Sequence, residues 1–202
     1  MTRLALLPPD RLNEAQRKIF DAVTKGPRMK NTGANIGVKL DAPTGLPGPF
    51  NAWLYSPVIG NLVQELGAGL RFGNSLPHNL LEIAIIMIGK HWLAQFEFWA
   101  HAKLARQAGV SEAVIEAIRI GETPAFDKPD EAQIYTFVRE LLDTKRVSDA
   151  TYAATREVIG EQGLVDLIAL TGYYTMVSFT LNAFQVPLPE GQTYPFAEPS
   201  GR

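Results

Sequence analysis

Apolar residues recur along most of the chain at the three- and four-residue spacing of a helix, and no segment shows the two-residue alternation of a strand. After Asp10, a residue type suited to cap a helix, Leu12, Ala15, Ile19, Ala22 and Val23 share one face until Gly26-Pro27 ends the pattern, which predicts an amphipathic helix over about 10–25. Residues 26–50 carry glycine or proline every few positions and read as a long loop. The aromatic residues that close and follow it, Phe50, Trp53 and Tyr55, are expected to dock on the core or to form the rim of a pocket. Ser56-Pro57 is a cap followed by a helix-opening proline, and Val58, Leu62, Leu66 and Leu70 give the next helix its apolar stripe. Pro77 opens a helix in which Leu80 to Ile88 are apolar nearly all round, the mark of an element buried on every side. Gly89 permits a bend, and a helix then runs to Gly109. Ser111 caps a short helix that stops at Gly121. Another helix begins at Asp127 to Asp130 and ends at Lys145, with Ile134, Phe137, Val138, Leu141 and Leu142 inward. Ser148 caps one more to about Glu161, and a long apolar helix covers Gly163 to Phe184. The tail, 187–202, is proline-rich and extended, with Tyr194 and Phe196 able to grip a surface. The expected class is all-α, a single domain over 1–202 with its core at about 50–186.

Three polar residues interrupt the most apolar part of this pattern. Glu82 lies inside the helix opened by Pro77, where a carboxylate needs a partner because an unpaired buried charge is costly. Glu97 and His101 follow, four residues apart and so on one helical face, flanked by Phe96, Phe98 and Trp99. A carboxylate beside an imidazole suits general acid–base work. The plain structural alternative is a surface i,i+4 pair worth about 0.2–0.5 kcal/mol.

Composition removes several other chemistries. With 46% hydrophobic and 20% charged residues the chain is globular, and its net charge of −2 with scattered Lys and Arg leaves no footprint for nucleic acid. There is no cysteine, which excludes a thiolate nucleophile, a disulfide and a cysteine-based zinc site. Only His78, His91 and His101 are present, so no metal site is expected. The long helix from Gly163 is interrupted by Asp166, Asn182 and several hydroxyls and lacks basic flanks, so a core or subunit-contact helix is expected rather than a membrane span. The apolar run at the N-terminus is too short for a secretory signal, and a cytoplasmic location is expected.

Glu82, eleven residues, Ala94, two residues, Glu97, three residues, His101 and then Gly109 form a frame that resembles the carboxymuconolactone decarboxylase superfamily, which includes the alkylhydroperoxidase D-like proteins. In the peroxidase branch of that family the positions of Ala94 and Glu97 are cysteines. In the decarboxylase branch the second is commonly a glutamate, and Glu97-Phe98-Trp99-Ala100-His101 is similar to that run. The specific signals cover about residues 50–120, and helix pattern alone carries the likeness further.

The resemblance implies an all-helical bundle that assembles as a trimer or hexamer and acts on a small molecule without a cofactor. It implies a lyase in which His101, Glu97 and Glu82 are catalytic and protonate the dienolate left by loss of CO2. Trp53, Phe50, Phe98 and Trp99 would line the substrate, while Trp92 points away from Ala94 by helical geometry. Tyr173 and Asn182 are candidate oxyanion donors. Isomerisation, lactone hydrolysis or hydration on the same scaffold stay open, as does a non-catalytic oligomeric binding protein whose three polar residues form a structural network. Thiol peroxidase chemistry is excluded, because it requires a thiolate this chain lacks.

Overall fold

The computed structural model describes residues 2–29 and 36–197, and among these it is helical, with no strand. The elements are α1 (Glu14–Lys25), α2 (Phe50–Leu54), α3 (Pro57–Phe72), α4 (His78–His91), α5 (Gln95–Gln107), α6 (Glu112–Ile120), α7 (Pro129–Thr144) and α8 (Asp149–Ala183), preceded by a 3₁₀ turn at Pro9–Arg11. They form two compact units. The first holds the chain up to Gly73 together with Phe179–Thr193, and the second holds Asn74–Ser178 together with the tail from Tyr194.

In the first unit α1 starts later than expected. Asp10 lies in the 3₁₀ turn, and the cap is Asn13, whose side chain accepts from Gln16 N at 3.0 Å while Gln16 Oε1 accepts from Asn13 N at 3.0 Å. This reciprocal box requires Glu or Gln three residues after the cap, which Asn13 has and Asp10 does not. Ile19, Phe20 and Val23 of α1 pack with Leu40, Leu46 and Leu54. The glycine- and proline-rich stretch is therefore no loose loop where it is described. Pro27 and Arg28 are helical, and Leu40 and Leu46 are core residues; residues 30–35 of that stretch lie outside the described residues.

The stripe expected to bury α3 also divides. Leu70 is buried, but Val58, Leu62 and Leu66 are 77%, 59% and 50% exposed, with Ile59 beside them. The inward face is Gly60, Gln64, Gly67 and Leu70 instead. Gly60 explains the choice: a Cβ there would lie 2.2 Å from the Trp53 carbonyl oxygen, so only the glycine face can approach α2 this closely.

In the second unit α4 is buried over the whole run Leu80 to Gly89 and packs against α5, α6 and α7. Its approach to α5 is set at Gly89, where a Cβ would meet Phe98 N at 3.1 Å and Phe98 Cα at 3.3 Å. The turn between them is tight: Leu93 has φ 49°, and Ala94 N donates to Gly89 O at 2.8 Å. Ser111 caps α6 by accepting from Val114 N, and Gly121 ends it in the left-handed conformation. The two last helices expected from sequence join as α8, broken at Gly160 by φ 69° and ψ 178°, backbone that only glycine adopts readily. Within the second unit Asp166 of α8 accepts from Ser75 N and Oγ at 2.8 and 2.7 Å.

Candidate active site

The bend at residues 92–94 folds α5 back along α4, so residues near the middle of each helix face one another. Glu82 and His101 are brought together this way. His101 Nδ1 lies 2.7 Å from Glu82 Oε2, a buried hydrogen bond between positions nineteen residues apart. On its other side His101 Nε2 lies 3.1 Å from Glu97 Oε1, one helical turn earlier on α5. All three side chains are buried, with residue exposures of 2% for Glu82, 3% for Glu97 and 7% for His101. The expected surface pair is thus a three-residue cluster inside the fold, and Glu82 has the partner its burial required.

The two sides of the imidazole differ. Nδ1 is anchored by Glu82, which fixes the ring orientation. The contact with Glu97 has the distance of an ion pair without hydrogen-bond alignment, and among the described residues Glu97 Oε1 has no hydrogen-bond partner. Burial is the largest single influence on His101 and disfavours its charge, but the charges of Glu82 and Glu97, with the hydrogen bond to Glu82, outweigh it and raise the pKa from 6.5 to about 9. His101 is therefore an imidazolium at neutral pH, and the cluster can hold, orient and release one proton.

A fourth side chain completes the cluster. The ring of Tyr174 on α8 stands edge-on to His101, with centroids 5.1 Å apart and planes at 78°. Tyr173, one of the donors guessed from sequence, packs edge-on against Tyr174, with ring centroids 5.1 Å apart. The signal that picks Tyr174 is present but faint: Leu170, Tyr174, Ser178 and Leu181 share the fully buried face of α8.

The other expected site residues are placed as follows. Trp99 is buried against Phe96 at 5.5 Å, with Lys103 Nζ 4.0 Å from its ring centre. Phe98 is fully buried, its ring 5.0 Å from that of Phe196. Trp92 turns its indole N–H toward Thr175 Oγ1 at 3.4 Å. Phe50 and Trp53 belong to the first unit, where they pack edge-to-face at 5.2 Å, and Asn182 belongs to that unit as well. Among the described residues no group of three or more His, Asp or Glu is arranged to hold a metal ion. Two clefts of about 550 and about 220 Å³ meet around Tyr135, Arg139 and Asp143 of α7, and neither is lined by Glu82, Glu97 or His101.

No family model and no curated protein sequence matches the chain. Solved structures do match. The structure titled as the alkylhydroperoxidase AhpD core, an uncharacterized peroxidase-related protein from Ralstonia eutropha JMP134, superposes with a TM-score of 0.73 at 14% identity, covering 94% of this chain and 93% of that one. A peroxidase-related protein from Silicibacter sp. TM1040 gives 0.68 at 16% identity over 92% and 91%. A cysteine-to-alanine variant of the debrominase Bmp8 in complex with 2,3,4-tribromopyrrole gives 0.67 at 13% identity over 94% and 95%. The fold is that of the AhpD core. Proteins built on it include a debrominase and peroxidase-related proteins, so the fold carries more than one activity.

Proposed function

We propose that this protein is a proton-transfer enzyme resembling 4-carboxymuconolactone decarboxylase, acting on a small carboxylated lactone or a related unsaturated acid. The observation that supports it is His101, held as an imidazolium between Glu82 and Glu97 in a buried site. In the reaction the bond between the ring carbon and the substrate carboxylate breaks. Its electron pair moves toward the lactone carbonyl, and CO2 leaves. His101 Nε2–H then protonates carbon, and water returns the proton. Glu82 keeps Nδ1–H in place throughout, while Glu97 steadies the charge beside Nε2. Tyr174, edge-on to the imidazole, helps to exclude water there.

The test is CO2 release from candidate lactones by the protein and by its Glu97→Gln and His101→Gln variants. Each substitution is expected to lower the rate by ~10²–10⁴-fold, and the double variant to be little worse than either single one, because the pair acts as a unit. A folded His101→Gln protein with near wild-type rate would remove His101 from the mechanism. A structural network would behave otherwise, with activity following the folded fraction.

A second reading, isomerisation of a neutral unsaturated lactone, is favoured by charge. Two carboxyl groups flank the one imidazole, at 2.7 and 3.1 Å. Such a cluster repels an anionic substrate. Turnover of the neutral lactone but not of its carboxylated analogue would select this reading.

A further inference from the structure

Within the second unit, Pro195 and Phe196 of the C-terminal tail are anchored on α4, α5 and α6. The side-chain amide of Gln95 makes both available backbone bonds of Phe196: Nε2 donates to Phe196 O at 2.9 Å, and Oε1 accepts from Phe196 N at 3.0 Å. Arg119 Nη1 donates to Pro195 O at 2.8 Å. The Phe196 ring, 8% exposed, has its centre 5.0 Å from that of Phe98, and Lys90 Nζ lies over it, 5.0 Å from the ring centre. Gln95 and Phe98 belong to α5, Lys90 to α4 and Arg119 to α6.

These contacts fall where the candidate site is set. Phe98 is the residue whose backbone lies against Gly89, so it marks a tight approach of α4 and α5. Lys90 is the residue after Gly89, Gln95 opens α5, and Glu97 precedes Phe98. Glu82 reaches His101 only because the two helices hold that separation.

We infer that Phe196 and Gln95 are positioning residues: the docked tail staples α4 to α5 and so holds His101 of α5 in register with Glu82 of α4. The inference rests on the reading of His101 as a proton donor, yet it can be measured without any substrate. The groups facing His101 are Glu82 from α4, Glu97 from its own helix and Tyr174 from α8. If the helices loosen, Glu82 draws back and the imidazolium loses the larger of the two charges that outweigh its burial.

The experiment is a carbon-13 NMR titration of the full chain carrying His78→Gln and His91→Gln, so that His101 is the one imidazole observed. In this background Phe196→Ala is expected to lower the His101 midpoint from about 9 by about one unit or more, the scale on which a neighbouring charge acts. Phe196→Leu, which keeps most of the apolar volume, is expected to restore part of the shift. Gln95→Leu, of similar size but without either hydrogen-bonding group and without a new charge, is expected to move the midpoint the same way as Phe196→Ala, and it supplies the reading should Phe196→Ala not fold. A folded variant with a lower melting temperature and an unmoved His101 midpoint would overturn the inference, leaving the tail as a buttress only. A shifted midpoint in a protein that turns over no lactone would sustain the staple and count against the proton-donor reading alone.

Discussion

The buried imidazolium makes stability depend on pH in a direction that can be measured. His101 ionises near 6.5 when exposed and at about 9 in the fold. At about 1.4 kcal/mol for each pKa unit, that difference corresponds to about 3 kcal/mol in favour of the folded state. Because the folded value is the higher one, the contribution is fully present below 6.5 and is lost as pH rises through about 9. His101→Gln keeps hydrogen-bonding capacity and removes the titration. Urea unfolding of both proteins at one protein concentration, from about pH 6 to about pH 10, gives two curves whose difference isolates this group. Stability of the wild type relative to the variant should fall by about 3 kcal/mol across that range, at most about 1.4 kcal/mol per pH unit. A difference that stays flat, or that grows with pH, would show that His101 is not charged in the fold. The arrangement of Glu82 and Glu97 would then need another explanation.

Three further outcomes are expected. Gly89→Ala would place a methyl group 3.1 Å from Phe98 N, and should destabilise by about 1–3 kcal/mol in the same urea assay, with a lowered His101 midpoint. The exposed apolar ridge Val58, Ile59, Leu62 and Leu66 on α3 predicts a homo-oligomer that survives dilution to micromolar concentration; sedimentation of a monomer there would refute it, and Leu62→Glu should dissociate the assembly. Dithiol-dependent loss of hydroperoxide should not exceed that of a boiled control, since the chain has no cysteine.

Much of the fold was legible because helices announce themselves by spacing and by their ends. Ser111 and Gly121 bound α6 as expected, and the all-round apolar run Leu80 to Ile88 is the buried helix it promised to be. The failures share a cause. For α3 the apolar stripe marked a face, but the choice of inward face was made by the small residues Gly60 and Gly67, because backbone approach matters more there than side-chain hydrophobicity. Asp10 has a suitable side chain for a cap, yet the box formed by Asn13 and Gln16 satisfies two backbone groups at once. Leu40 and Leu46 were hidden among glycines and prolines that signal loop whatever lies between them.

For the cluster, the i,i+4 relation of Glu97 and His101 was readable from spacing, and the need of Glu82 for a partner from its apolar surroundings. That the partner is His101 depends on the bend at residues 92–94, and the edge-on ring of Tyr174 depends on tertiary packing. The first is not encoded in a local pattern, and the second only faintly, in the apolar spacing around Tyr174.

The contact between Gly89 and Phe98 is made by backbone, and so is indifferent to most side-chain changes nearby. Ala94 and Glu97, at the start of α5, are both buried and hang from that contact without forming it. The crossing therefore works as a fixed socket into which different reactive groups can be set. Two thiols at these positions would stand near the positive end of a helix, which favours thiolates. A carboxylate in the second position pairs instead with the imidazole one turn on. Both positions can be refilled while the helix crossing stays as it is, which lets a scaffold exchange its reactive groups without changing its shape.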